Sequence, residues 1–125
     1  MNITETQLNA EKTVLGNCID GADKVASLIE QGIGRSHFAF PVHQKIWTAL
    51  ETLSKTPEMC NITGLIKHLE DAGVLEVVGG HVGLVELSTN FAYHFQFEAS
   101  VKILVASRKR RDMEALFLAG LEKVN

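Results

Sequence analysis

Apolar residues recur at spacings of three and four along nearly the whole chain, and glycine or proline repeatedly interrupts the pattern. That period belongs to helices, because residues three and four apart share one helical face, whereas strands alternate every second residue. Leu8, Glu11, Leu15 and Cys18, joined by Val14 and Ile19, define a first helix, and Thr4-Glu5-Thr6-Gln7 ahead of them fits a capping box. Asp20-Gly21 breaks it, and Asp20 is placed to cap a second helix with Val25, Leu28 and Ile29 as its apolar stripe, ended by Gly32 and Gly34. Pro41 suits the first turn of a third helix, where a missing N–H costs nothing; Ile46, Trp47, Leu50 and Leu53 share one face of it, and Lys55-Thr56-Pro57 stops it. Asn61 or Thr63 can cap a fourth helix carrying Leu65, Ile66 and Leu69, with Gly73 as its C-terminal stop. Val74 to Val78 is β-branched and apolar enough for a short strand, but it is brief and Gly79-Gly80 ends it; it reads as a turn that plugs the core. A short helix follows from about His81 to Ser88, and the longest runs from about Gln96 to near the C-terminus.

That last helix changes character along its length. Val101, Ile103, Leu104, Val105 and Ala106 are apolar nearly all round, as in a helix buried within a domain. Beyond them one stripe remains: Met113, Leu116, Phe117, Gly120, Leu121 and Val124. Its spacings of three and four mark a coiled-coil-like seam, expected to serve self-association or partner binding because no later segment of the 125 residues is expected to cover it. Arg108-Lys109-Arg110-Arg111 reads as a solvated collar where the helix leaves the core, with Arg108 and Arg111 as candidates for a basic contact. The expected architecture is all-α in a single domain over 1–125: a head of about five to six short helices (about 5–95), then a long C-terminal helix (about 96–125) leading into a helical hairpin. Leu15, Trp47, Leu50, Leu69 and Leu87 are its predicted core.

Several chemistries are excluded or disfavoured by the residues. No glycine-rich run precedes a Lys-Ser or Lys-Thr pair, so no P-loop can cradle phosphates, and Gly79-Gly80 lacks the lysine; the chain is not expected to hydrolyse ATP or to carry a cofactor. His37, His43, His68, His81 and His94 lack metal-ligand spacing, so no metal is expected and the histidines read as surface or hydrogen-bonded structural residues. Cys18 and Cys60 are far apart, which fits reduced thiols in a cytoplasmic protein better than a disulfide framework. No signal peptide is evident and no apolar run approaches the roughly 18 residues of a membrane span. A net charge of −3 argues against a broad basic surface for duplex DNA. Ile62 to Gly80 has a winged-helix flavour, but its helix pairs Lys67 and His68 with Glu70 and Asp71, a poor set for a major groove.

Four segments, in order, resemble the N-terminal domain of DnaB-type replicative helicases. They are Ala10-Glu11-Lys12-Thr13-Val14-Leu15-Gly16; Phe38, Pro41 and His43 followed by Ile46-Trp47; Ile62-Thr63-Gly64-Leu65 through Leu69-Glu70, then Gly73, Leu75 and Val78-Gly79-Gly80; and Leu84 with Leu87. Gly83 departs from the pattern, standing where the family often carries an aromatic. The resemblance implies a helical head followed by a helical hairpin, hairpins that pair two subunits, and a collar of three such pairs that binds the C-terminal domain of primase or a helicase loader. It implies contact with DNA only indirectly, and an ATPase motor in a separate domain. The leading expectation is therefore an assembly and protein-interaction domain of DNA replication. A free-standing phage or mobile-element protein that regulates a helicase or primase, and a small winged-helix DNA binder, are the alternatives.

Overall fold

The computed structural model describes residues 3–90 and 94–124. Among them every regular element is helical: α1 (Ile3–Cys18), α2 (Ala22–Glu30), α3 (Pro41–Leu53), α4 (Ile62–Asp71), α5 (Gly80–Ser88) and α6 (His94–Val124), with 3₁₀ turns at Arg35–His37 and Pro57–Met59. Pro41 occupies the first turn of α3. Asn61 caps α4, its side-chain oxygen accepting the Gly64 N–H at 2.8 Å. Gly79 and Gly80 have φ of +109° and +65°, a region that side chains rarely adopt, and they turn the chain into α5.

Two expected caps are corrected. Helix α1 already includes Ile3, so Thr4 lies inside it, and the Gln7 side chain bonds Glu11 instead of reaching back to a cap. The N-cap of α2 is Gly21, without a side-chain bond, and Asp20 is exposed. Ile29, expected on the buried stripe of α2, is 42% exposed. Val74 to Val78 forms successive turns that place Leu75 and Val78 in the core, so the hairpin that a winged helix requires is not formed there.

Helix α1 lies at the centre, packed against α6, α3 and α5. Gly16 makes the α1–α5 approach possible: a Cβ there would sit 2.7 Å from the Leu87 carbonyl oxygen and 2.9 Å from that of Asn90. Leu15, Trp47, Leu50, Leu69 and Leu87 are all buried, and Trp47 stacks on Phe38 with ring centroids 5.3 Å apart. Cys18 and Cys60 are free, buried thiols that meet in space, the Cys60 Sγ lying 3.8 Å from the Cys18 carbonyl oxygen. Burial raises both thiol pKa values, that of Cys18 to about 12. Among the described residues no turn interrupts α6 and no second hairpin arm is present. No helix there is long and apolar enough to cross a membrane, and no His, Cys, Asp or Glu cluster could hold a metal ion.

Candidate assembly surface

Helix α6 presents two opposite faces. The first packs on the head through Phe97, Val101 and Leu104, all buried, with Ser107 buried beside them. Arg108 and Arg111 continue this face, four and seven residues beyond Leu104. Their guanidinium groups turn inward: Arg108 Nη1 lies 3.4 Å from His37 Nδ1, and Arg111 Nη2 donates to the His37 carbonyl at 3.3 Å. Arg108 also pairs with Asp112 at 3.5 Å. The expected solvated collar is thus divided. Lys109 and Arg110 are exposed, whereas the two residues singled out for a basic contact are half-buried and engaged within the domain.

Behind these arginines lies a buried polar cluster. Glu11 is completely enclosed. Its Oε2 accepts from Gln7 Nε2 at 2.6 Å and from the Ala39 N–H at 2.8 Å; its Oε1 lies 2.8 Å from His43 Nδ1. Gln7 Nε2 also reaches the His37 carbonyl at 3.5 Å. His37 Nδ1 accepts the Gly34 N–H at 3.0 Å, which leaves that nitrogen without a proton. Burial, reinforced by the Arg108 charge and then by Arg111, lowers the His37 pKa and keeps the ring neutral. Enclosing a carboxylate is costly unless its lone pairs are met, and here donors from α1, the start of α3 and the segment before it meet them. The cluster ties α1 and the 35–43 segment to the point where α6 leaves the head. The sequence pattern places Glu11 on the apolar stripe of α1 and leaves the histidines as separate residues. The available signal was a charged side chain at an apolar helical position.

The second face carries the seam. Nine residues at about 100° each put Met113 about 180° round the helix from Leu104, so the seam points directly away from the head. Met113 is 70%, Leu116 75%, Phe117 66% and Leu121 45% exposed. An open groove of about 680 Å³ runs along this face past Lys109, Arg110, Met113, Glu114, Phe117 and Leu118. Gly120 is also exposed, and a Cβ there would meet nothing within 4 Å. The Val124 side chain, the last of the expected seam, lies outside the described residues. Met113, Leu116, Phe117 and Leu121 thus form an exposed apolar stripe along this face.

The sequence model for the DnaB-like helicase N terminal domain matches residues 4–106. The chain belongs to this family. The likeness extends to three dimensions: the crystal structure of the N-terminal domain of DnaB helicase from Mycobacterium tuberculosis superposes with a TM-score of 0.72, covering 81% of this chain and 69% of that one at 24% identity. At that identity the match speaks for the fold. A comparison with curated proteins gave no match. In this DnaB-like domain the matched stretch takes in the head, the Glu11 cluster and the buried first half of α6, and it ends at Ala106, before Met113 opens the exposed seam.

Proposed function

We propose that this DnaB-like N-terminal domain is an assembly module of a replicative helicase system: it pairs with a second copy of itself through the outer face of α6, and the paired heads offer a platform to the C-terminal domain of primase or to a helicase loader. The observation that carries this reading is the seam itself, with Met113, Leu116, Phe117 and Leu121 exposed on the side of α6 turned away from the head. A chain without a P-loop contributes to such a system by geometry, and a stalk rigidly fixed to its head is what transmits position between subunits. The Glu11–His43 and His37–Arg108–Arg111 contacts support that rigidity. DNA contact is then indirect, since the arginines singled out for a basic contact are engaged by His37.

Sedimentation velocity of the wild type and of Phe117→Glu tests the reading. The wild type is expected to dimerise with rising concentration. The variant is expected to remain a folded monomer with unchanged helical circular dichroism, because a charge forced into an apolar contact loses its hydration. A wild type that stays monomeric at high concentration, or a variant that still dimerises, contradicts it.

A further inference from the structure

We propose that the cavity beside His43 on the head is a notch for one arginine side chain of a protein partner, whose guanidinium donates to His43 Nε2 and to the Glu86 carboxylate. The notch belongs to a single head, so it does not depend on pairing through α6.

The His43 ring sets the chemistry. Its Nδ1 lies 2.8 Å from Glu11 Oε1, and Glu11 is fully enclosed. A carboxylate oxygen only accepts, so Nδ1 carries the proton and Nε2 of the neutral ring keeps a bare lone pair. His43 is 7% exposed, and it lines a cavity of about 160 Å³ with Lys12, Val42, Ile46, Val78 and Glu86. Glu11 lies behind the ring, outside this lining, so the ring edge turned to the cavity is the one that carries Nε2. Among the described residues Nε2 has no hydrogen-bond partner. A nearly buried acceptor left bare calls for a donor.

The rest of the lining selects the donor. Glu86, exposed on α5, brings a carboxylate to the same small cavity. Val42 and Ile46 on α3, with Val78 before α5, supply an apolar wall. A guanidinium suits this set: its planar fork of N–H groups meets two acceptors at once, and its stem packs on hydrocarbon. An ammonium is a compact, strongly hydrated point charge and uses the pair less well. At about 30 Å³ for each water, the cavity has the volume of about five waters, enough for a guanidinium and the start of its stem. Long-range charge favours the same ligand. Over residues 1–90 eleven Asp and Glu stand against six Lys and Arg, so the head attracts cations. Lys12 is the opposing charge in the lining; it is half-buried, and its flexible stem lets the ammonium turn to solvent.

Nitrogen NMR of the His43 ring in the full chain, titrated with arginine amide, reads the contact directly. A saturable shift of Nε2 is expected, with Nδ1, held by Glu11, moving little. Citrulline amide keeps the shape and lacks the charge, and is expected to bind at least about fivefold more weakly. Glu86→Gln is expected to weaken arginine amide by a similar factor with unchanged circular dichroism. Gly83 also lines the cavity, and a Cβ there would meet only the Val78 carbonyl, at 3.7 Å. Gly83→Leu therefore adds a side chain at the notch without a clash, and is expected to abolish the shift without lowering the melting temperature. No saturable shift of Nε2 overturns the proposal, as does an equal response to citrulline amide. A shift with sodium phosphate in place of arginine amide would make this an anion site and overturns it too. Binding unchanged in both variants puts the ligand elsewhere, with the same consequence. A monomeric wild type in sedimentation ends the pairing through α6 and leaves the notch as it is.

Discussion

The two halves of α6 are held by different means. From Phe97 to Arg111 one face of the helix is fixed to the head by apolar burial and by the contacts to His37; from Asp112 to Leu121 every residue is exposed. A free helical stretch of this length is marginal in water, because short helices gain too little from propagation to offset nucleation. The first half therefore owes its order to its own chain. The second, exposed throughout, is held by its own chain only through continuing the first. On the proposed pairing, folding and assembly are separate: changes in the head alter stability, and changes in the outer seam alter association.

The largest expected contrast is between two leucines. Leu50→Ala, in the core of the head, is expected to cost about 2–5 kcal/mol in thermal or urea unfolding. Leu118→Ala, exposed beside the outer groove of α6, is expected to change stability by no more than about 0.5 kcal/mol. Equal effects would mean that the stalk is as deeply packed as the head. Next comes Glu11→Ala, which strands the Ala39 N–H and the His43 and Gln7 side chains. It is expected to cost about 1–3 kcal/mol overall, since Gln7 keeps the His37 carbonyl and removing a buried charge offsets part of the loss, and to loosen residues 35–43 in hydrogen exchange before the rest of the head. A variant as stable as the wild type would deny the cluster its part in fixing α6.

A smaller effect follows from His37. Its pKa is lowered on folding, so the unfolded chain binds the proton more readily than the folded one. Stability from this group is full above the ordinary histidine pKa of about 6.5 and is lost as pH falls through the folded value. The protonated ring would also face Arg108 and Arg111 and could no longer accept the Gly34 N–H. Melting temperatures measured below pH 6.5 are expected to fall less steeply in His37→Gln than in the wild type; identical slopes would show that His37 does not titrate in the transition.

Much of this was legible in the residues, for physical reasons. Pro41, Asn61 and the glycines at 73, 79 and 80 act within one turn of their own position, so the starts and ends of α3, α4 and α5 could be read locally. The seam was legible for the same reason, since period alone places Met113, Phe117 and Gly120 on one face. The polar cluster was not. Thr4 and Gln7 have the spacing of a capping box, yet Gln7 is engaged by Glu11 one turn on, and Glu11 by Ala39 and His43, 28 and 32 residues away. No local period reports such partners. The basic run misled in a subtler way. Its charges suggested solvent, while the spacing of Leu104, Arg108 and Arg111 already set the two arginines on the buried face.

Amide hydrogen exchange across α6, compared at low and high protein concentration, tests the division between the two halves most directly. Pairing through the outer seam predicts that exchange over residues 112–121 slows as concentration rises, while the head and residues 97–108 exchange at the same rates throughout. Rates over 112–121 that do not change with concentration would contradict it.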